Sequence, residues 1–316
     1  MTSQSTWGIV ATAKARAEDI LRFAAHHIDA GASLVHVFLD ESNPKAFDAL
    51  VKHPRCNVTV CDESYWQQLS GERPEKVEQR QSVNASYSYR QQTDIDWLMH
   101  ADVDEFLVSD RPLAEVLGGL PDDIDTFRAR PMEALATSRK ETPTAFKDFI
   151  PGDGKRADKT KRIYPTFGPY MNAGFLSHLG GKVFVRVGLP NVKFRIHNAF
   201  QDGEFIDREA SSDSVRLAHL HATNWENWST AFPFRLKQGA YRHGLKPVAH
   251  DEIGDISLND LFHVLLEDGG IDGLRLFFDE VCADSPELRE RLEALGLLVL
   301  HDLDLDAKLA RHFQDL

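Results

Sequence analysis

The stretch LMHADVDEFL, residues 98–107, places three acidic side chains directly after an apolar run. Residues 97–99 are apolar, Asp102, Asp104 and Glu105 follow shortly after, and apolar residues resume at Phe106. A short apolar run without a polar face is typical of a strand that is covered on both sides. The sequence therefore predicts a buried strand that ends in a cluster of carboxylates.

Upstream of this stretch the chain alternates between strand patterns and helix patterns. The apolar runs that predict strands cover residues 6–12, 33–40, 56–61 and 95–102. The helix patterns are one that Gly31 ends, a short one near residues 46–50 and a polar one near residues 75–92. This alternation is typical of an α/β protein with a mostly parallel sheet flanked by helices.

Polar side chains stand at the carboxyl ends of these predicted strands. They are Thr12, Asp40, Asp62, Asp102 and Asp104. Parallel sheets bind their ligands beyond these strand ends. Two carboxylates in a D-x-D pattern suit Mg²⁺ or Mn²⁺, which prefer oxygen ligands and commonly complete their shell with substrate phosphates. The alternative is a solvated turn in which Glu105 caps a following helix.

The composition restricts the class of protein. The formal net charge is −13, which argues against nucleic-acid binding because the phosphate backbone demands a basic face. Three cysteines, Cys56, Cys61 and Cys282, lack metal-site spacing and predict reduced, buried thiols. The sequence shows neither a signal-peptide pattern nor a run of roughly 18 apolar residues. We therefore expect a cytoplasmic protein without a transmembrane segment, for which peripheral membrane contact remains an option.

Downstream of residue 107 the pattern changes. Basic residues within 151–163 predict an exposed loop. Two alternating segments, 181–187 and 191–197, are joined by GLP and predict a hairpin. Helical spacing dominates from about residue 246, so the sequence divides into a domain over 1–245 and a helical appendage over 246–316. The appendage is alternatively the edge of the same core.

The segment IDWLMHADVDEFL, residues 95–107, resembles the D-x-D segment of glycosyltransferase family 2-like proteins. The similarity extends in weaker form over roughly residues 6–240. The positions that carry it are His26 and His27, Asp40 with Ser42, Gln79 with Asn84, Lys182 with Arg186, and His197. This resemblance implies a GT-A-type nucleotide-binding fold and a glycosyltransferase that takes its sugar from a nucleoside-diphosphate donor.

The resemblance also implies roles for individual residues. Asp102 and Asp104 are expected to hold a divalent cation, Mn²⁺ or Mg²⁺, against the donor diphosphate. A later histidine, His197 or His221, is expected to complete the metal shell. The residues expected to border the nucleotide-sugar donor are Thr12, Asp40, Gln79, Arg80, Asn84, Asp102, Lys182 and Arg186.

Transfer of a sugar also needs a base, because the acceptor hydroxyl must lose its proton. The candidates are Glu133, after the predicted strand at 124–132, and Asp202, beyond His197. The expected acceptor is a carbohydrate, a lipid-linked molecule or a protein.

Two other functions stay open at this point. A nucleotidyltransferase-like enzyme would need a glycine-rich phosphate loop after the first strand, whereas ATAKARAED at residues 11–19 contains no glycine. A non-catalytic relative that only binds a nucleotide sugar is favoured by the lack of an obvious base.

Overall fold

The computed structural model describes residues 4–137, 143–152, 154–171, 174–244 and 255–314. The architecture is mixed α/β, with sheets flanked by helices. The described residues form two compact units. The first unit draws on residues 1–130, 180–217 and 304–316, and the second draws on 131–179 and 218–303.

The described part of the chain contains mostly short strands and helices. The strands are β1 (Trp7–Ala13), β2 (Leu34–Leu39), β3 (Cys56–Val60), β4 (Trp97–His100), β5 (Glu105–Ser109), β6 (Thr126–Ala134), β7 (Thr144–Lys147), β8 (Lys182–Arg186), β9 (Val192–Phe194), β10 (Ala199–Gln201), β11 (Glu204–Phe205), β12 (Glu209–His219) and β13 (Leu298–His301). The helices are α1 (Ala17–Asp29), α2 (Pro44–Leu50), α3 (Glu63–Ser70), α4 (Val77–Arg90), α5 (Leu113–Gly118), α6 (Arg156–Ile163), α7 (Trp225–Lys237), α8 (Leu258–Val281), α9 (Pro286–Glu293) and α10 (Leu305–His312). The span named α8 has a kink at Gly270, where φ is 56° and ψ is −137°. Within the described ranges, no helix has the length and apolar content to cross a bilayer.

Strands β1 to β4 form the parallel part of the sheet in the first unit, in the order β3-β2-β1-β4. All seven residues of β1 are buried, which explains their continuous apolar sequence. Helix α4 covers one face of this sheet, where Ala85 and Tyr89 pack with Val10 and Leu98. The four predicted strands and their parallel pairing are therefore confirmed.

Beyond β4 the sheet of the first unit becomes antiparallel. Strand β8 pairs with β4 through Leu98 and Val185, and the first half of β6 pairs with β8 through Phe127 and Phe184. Strand β12 pairs with β5. The sheet is therefore mixed, and the expectation of a mostly parallel sheet is correct only for β1 to β4.

The predicted hairpin between residues 181–187 and 191–197 is wrong. Strand β8 belongs to the mixed sheet, whereas β9 pairs with β10 in a small antiparallel sheet. The backbone of β9 is also engaged by α4, since Phe194 N donates to Ser86 Oγ at 2.9 Å and Ser82 Oγ donates to the Phe194 carbonyl. These longer-range partners take the hydrogen bonds that a hairpin would have used.

The second unit contains antiparallel strand pairs and an aromatic core. The second half of β6 pairs with β7, and β13 pairs with the other edge of β7. Trp228, Tyr241, Phe262 and Phe277 are buried and pack ring against ring. Burial of these large side chains away from water is the main favourable term for this unit.

The basic segment at 151–163 is not the loop that its composition predicts. Residues Arg156–Ile163 form α6, which buries Thr160 and Ile163 and keeps Lys161 and Arg162 exposed. The two buried side chains lie three positions apart, so they share one helical face. A single apolar residue near the end of a basic run is too weak a signal to predict that face.

The described residues of 246–316 do not form a helical appendage alone. Strand β13 hydrogen-bonds to β7 in the second unit, and residues 304–316 belong to the first unit. There α10 contacts α1, with Arg22 paired to Asp306 at 2.6 Å and His312 paired to Asp29 at 2.8 Å. The contacts therefore do not divide the chain at the boundary expected near residue 245. That boundary was predicted from helical spacing in the sequence alone.

Gly168→Ala should destabilise the second unit, because the new methyl group would meet backbone atoms of α6. An added Cβ would lie 2.6 Å from the Thr160 carbonyl oxygen and 2.7 Å from the Lys161 Cα atom. We expect the free energy of unfolding to fall by about 1–3 kcal/mol, as in other overpacked sites. Urea denaturation measures this change.

Gly269→Ala is the matched control, because it lies in helical backbone and an added Cβ there meets nothing within 4 Å. Alanine should be neutral or stabilising at such a position. If both variants were as stable as the wild type, the close approach of α6 to Gly168 would impose no steric constraint.

Candidate functional site

The acidic stretch forms a tight turn between β4 and β5. Glu105 N donates to the Asp102 carbonyl oxygen at 3.0 Å, and Asp102 N donates to Glu105 Oε2 at 2.8 Å. Glu105 therefore begins a strand and closes the turn with its side chain, and it does not cap a helix. Asp102 and Asp104 remain partly exposed at this turn, whereas Glu105 is buried.

Lys182 is the residue that holds this turn against the sheet. Strand β8 runs antiparallel to β4 with Met99 opposite Phe184, so its first residue reaches past the end of β4. The Lys182 ammonium lies 2.7 Å from Asp102 Oδ2 and 3.2 Å from Glu105 Oε2, and its side chain is 1% exposed. Burial alone would lower the pKa of Lys182, but the two carboxylates outweigh it and raise that pKa above its ordinary value. The lysine is therefore a fixed positive charge.

The second oxygen of Asp102 is held from the opposite side by helix α4. Gln81 Nε2 donates to Asp102 Oδ1, and Gln81 is buried. Gln79, which was predicted to border the donor, is exposed on the same helix. Gln81 and Asn84 lie three positions apart and share a helical face, which is the signal that would have identified Gln81.

Asp40, at the end of β2, is the centre of a second charged group. Arg80 Nε donates to Asp40 Oδ2 at 2.9 Å, and Arg73 Nη2 donates to Asp40 Oδ1 at 3.0 Å. Arg80 also donates to the Pro74 and Glu75 carbonyl oxygens at 2.8 and 2.7 Å, so it fixes the segment that precedes α4. Arg73 was not among the expected site residues, because nothing local in the sequence links it to Asp40.

Thr12 and Asn84 are joined in a short chain of hydrogen bonds. Asn84 Nδ2 donates to Thr12 Oγ1 at 3.0 Å, and Tyr65 OH donates to Asn84 Oδ1 at 2.6 Å. Asn84 is fully buried, so it supports this edge from behind, whereas Tyr65 is only partly buried. Tyr65 is a further residue that the sequence reading missed.

The strand ends that carry these groups form one edge of the parallel sheet. Asp40 N donates to the Ala13 carbonyl oxygen at 2.9 Å, and Ala101 N donates to the Val10 carbonyl oxygen at 3.0 Å. The structure thus brings the ends of β1, β2 and β4 together in the first unit. Of the residues expected at the donor or metal, this edge and its supports include Thr12, Asp40, Arg80, Asn84, Asp102, Asp104 and Lys182.

Arg186 lies at the other end of β8 and has structural contacts. Its guanidinium stacks 4.4 Å from the centroid of the Trp97 ring, and it donates to the Ile124 and Pro121 carbonyl oxygens at 3.0 and 3.1 Å. Lys182 and Arg186 therefore share a face of β8 but lie at its opposite ends. Of the two, Lys182 contacts the acidic turn.

His197 lies close to the start of β8. Its Nδ1 is 2.9 Å from the Gly181 carbonyl oxygen. A carbonyl oxygen can only accept, so this hydrogen bond places a proton on Nδ1. This is the arrangement in which a histidine can ligate a metal through Nε2.

Arg128, on the first half of β6, orders the segment around His197 and Gly181. Its guanidinium donates to the Gly180 and His197 carbonyl oxygens at 2.6 and 2.9 Å, and it forms a bidentate pair with Glu209. These bonds fix the backbone immediately before Lys182. Arg128 was not singled out in the sequence, because its partners are far from it along the chain.

Asp202, one of the two expected bases, is a turn residue. It has a φ of 51° and precedes Gly203, with a φ of 88°, between β10 and β11. An Asp-Gly pair with two positive φ angles is the preferred turn of a two-residue hairpin. Its carboxylate accepts from Asn191 Nδ2 at 2.6 Å. These contacts account for Asp202 without a catalytic role.

Glu133, the other expected base, is buried in the second unit as the partner of Lys147. The Lys147 ammonium lies 2.9 Å from Glu133 Oε2, and Glu133 also accepts from Ser177 N at 2.8 Å and Leu176 N at 3.2 Å. Burial would raise the pKa of Glu133, but Lys147 outweighs it and holds that pKa far below its ordinary range. A carboxylate of this kind is a poor proton acceptor.

His221 also lies in the second unit, where it is buried. Its Nε2 is 2.8 Å from the Tyr241 hydroxyl, which also accepts from Trp228 Nε1 at 3.0 Å. The histidine is thus part of a hydrogen-bonded group inside the aromatic core.

The donor set of the acidic turn determines which metal ions fit it. Among the described residues, no group of three or more His, Cys, Asp or Glu side chains is arranged to hold a metal ion. The turn offers two carboxylates, and that of Asp102 is 34% exposed despite its contacts. Mg²⁺ and Mn²⁺ bind through one or two carboxylates when water and substrate phosphates supply the remaining oxygens. The residues therefore fit a cation that is shared with a phosphate ligand.

Two solved structures are similar to the chain at a low level. No protein-family model matches the chain, and no curated protein matches it. The chain is similar to the crystal structure of HddC from Yersinia pseudotuberculosis, with a TM-score of 0.29 and 8% identity over 44% of this chain and 67% of that chain. It is also similar to a mycobacterial protein, with a TM-score of 0.36 and 12% identity over 79% of this chain and 80% of that chain. Similarities this low carry no argument about function, which has to be argued from the site.

Glu133→Gln and Lys147→Met should each lower the free energy of unfolding by about 3–5 kcal/mol, because each leaves a buried charge without its partner. The double variant should lose less stability than the sum of the losses in the two single variants, because neither charged group remains. Urea denaturation at pH 7 measures all three. A Glu133→Gln protein of wild-type stability would contradict the structural role of this carboxylate.

The same pair gives the stability a predictable pH dependence. Because the pKa of Glu133 is lower in the folded chain, its contribution is fully present above the unfolded pKa of about 4.3 and is lost as the pH falls below it. The difference in stability between the wild type and the double variant should therefore shrink as the pH falls from about 5 to about 3. If the difference in stability between the wild type and the double variant stayed constant over this pH range, Glu133 would not be the carboxylate that Lys147 stabilises.

Proposed function

We propose that the chain is a metal-dependent glycosyltransferase of GT-A type that transfers a sugar from a nucleoside-diphosphate donor to an acceptor hydroxyl. The observation that carries this proposal is the anchored D-x-D turn at the carboxyl end of β4. It stands at the same edge of a parallel sheet as Asp40 and Thr12. The resemblance of residues 95–107 to the D-x-D segment of glycosyltransferase family 2-like proteins supports the same conclusion.

The edge of the sheet suits a nucleoside diphosphate in two parts. Thr12 and Asp40 are buried at the ends of β1 and β2, where their contacts with Asn84, Arg80 and Arg73 order the edge on which a ribose or base would lie. The D-x-D turn faces the phosphates, and Arg73 adds a guanidinium that is anchored on Asp40 and 47% exposed. Arginine is well suited to phosphate oxygens because its N–H groups form paired bonds to them.

Charge stabilisation is the main demand of the proposed reaction. The bond between the sugar carbon and the donor phosphate oxygen breaks, the carbon becomes oxocarbenium-like, the acceptor oxygen bonds to it, and the proton of the acceptor hydroxyl passes to water or to the departing diphosphate. The divalent cation, when bound, supplies positive charge to the departing diphosphate. Asp102 and Asp104 would hold that cation, while Lys182 and Gln81 keep the Asp102 carboxylate in a fixed orientation. The proposed acceptor is a carbohydrate, a lipid-linked molecule or a protein.

A non-catalytic nucleotide-sugar-binding protein is the second candidate. This candidate is favoured because both carboxylates that were considered as catalytic bases have structural roles. Glu133 is paired with Lys147, and Asp202 is held in a hairpin turn. The nucleotidyltransferase alternative has less support, because the connection from β1 to α1 contains no glycine.

A thermal-shift screen with UDP, GDP, CDP and TDP, each with and without Mn²⁺, tests the proposal. One nucleotide should raise the melting temperature only when Mn²⁺ is present, because a ligand that binds only the folded state stabilises it. At about 100 times its Kd, the ligand adds about 2.7 kcal/mol, which is worth roughly 4 °C for a chain of this size. No shift with any nucleotide would overturn the proposed function.

Asp104→Asn should abolish the metal-dependent part of this shift, since it removes a carboxylate from the proposed cation site. Asp110→Asn is the matched control, because Asp110 is exposed and lies beyond the end of β5. A full shift in Asp104→Asn would remove this residue from the site. Release of free sugar from a matching donor by the wild type separates the enzyme from the binding protein, which gives no release.

A further inference from the structure

The acidic turn already contains a positive charge before any ligand binds. The Lys182 ammonium bonds to both Asp102 and Glu105 and is almost fully buried. With Asp104 included, the turn carries three carboxylates and one ammonium, which sums to a net charge of −2 (−3 + 1). A divalent cation that approaches Asp102 therefore meets a fixed like charge that cannot move into solvent without leaving its partners.

The two oxygens of Asp102 are also both engaged. Lys182 contacts Oδ2, and Gln81 donates to Oδ1. A metal ion can share these oxygens only in competition with the ammonium and the amide. Because Mg²⁺ and Mn²⁺ take several oxygen ligands, two partly committed carboxylates are a weak site without further oxygen ligands.

A donor diphosphate changes this balance. Its oxygens supply ligands that the protein lacks, and its negative charge offsets the repulsion between the cation and Lys182. We propose that Lys182 is a resident counter-ion that makes divalent-cation binding at the D-x-D turn depend on the donor diphosphate. This inference rests on the proposed function and assigns Lys182 as a positioning residue, since it acts through Asp102 and Glu105.

The consequence is an order of binding. The buried ammonium of Lys182 holds Asp102 and Glu105 together and offsets part of their charge when no nucleotide is present, so the turn does not need a resident metal ion to hold its shape. The cation enters with the nucleotide and leaves with it. A site that depended on a metal for its structure would instead show a compensating cluster of protein ligands, and the described residues contain none.

Titration with Mn²⁺ alone, followed by calorimetry or by the spin-resonance signal of free Mn²⁺, tests this role. Wild-type protein should bind Mn²⁺ weakly in the absence of nucleotide. Lys182→Met removes the competing ammonium and should lower the Kd for Mn²⁺ alone by about tenfold or more, which corresponds to about 1.4 kcal/mol per tenfold. Lys193→Met, at an exposed lysine of β9, is the matched control and should bind as the wild type does.

A second variant and a second measurement guard against a folding defect. Lys182→Gln keeps a hydrogen-bond donor without the charge and should show the same gain in Mn²⁺ affinity. If Lys182→Met is unstable, Mn²⁺ alone should raise its melting temperature more than that of the wild type, because the metal replaces the missing charge. Adding Asp102→Asn to Lys182→Met should cancel the gain.

The outcomes separate this inference from the proposed function. Mn²⁺ affinity that is unchanged or weaker in both Lys182 variants would overturn the role of Lys182, even if the wild type binds a nucleotide with Mn²⁺. Tight binding of Mn²⁺ alone by the wild type would overturn it as well. Failure of every nucleotide in the wild type would instead overturn the proposed function, because that result does not depend on Lys182.

Discussion

The burial of one ammonium group, that of Lys182, is the constraint on which the arrangement of the candidate site depends. A buried charge needs its partners, so the turn between β4 and β5 must present Asp102 and Glu105 to the first residue of β8. Strand β8 can place the lysine there only because it runs antiparallel to β4 in one register. Arg128 fixes the backbone just before Lys182, so the chain is held on both sides of this contact.

The four parallel strands within the first hundred residues follow from the sequence because their signals are local, whereas helix α3 was not predicted. Continuous apolar runs such as β1 and β4 are buried on both faces, and helices of ordinary spacing separate them. Later strands depend on partners that are distant along the chain. The alternation in residues 181–187 predicted a hairpin strand, but pairing with the distant strands β4 and β6 decided the outcome. Helix α6 depends on burial of Thr160 and Ile163, which a basic composition conceals.

The candidate site divides in the same way. Residues at strand ends, such as Asp40 and Asp102, were predictable because sheet topology alone brings them to one edge. Residues that reach this edge from helices or loops, such as Gln81 and Arg73, were not predictable from the sequence. For Asp202 a local signal was present, since Asp-Gly between two short strands is a strong hairpin pattern. Asp202 was considered as a base because of its position after His197 in the sequence. Its place in an Asp-Gly turn explains this residue better.

Two lysine–carboxylate pairs in this chain show why burial, and not the pair itself, determines chemical use. Lys147 and Glu133 are both enclosed, with side chains 2% and 3% exposed, and backbone N–H groups also bond to the carboxylate. Such a pair cannot exchange its partner without exposing a bare charge to a low-dielectric interior. In the pair of Lys182 and Asp102 only the lysine is enclosed, and the carboxylate is one-third exposed. A ligand from solvent can therefore reach Asp102 while Lys182 stays in place. A lysine–carboxylate pair is thus closed to solvent in one setting, and in the other it keeps a carboxylate that solvent can reach.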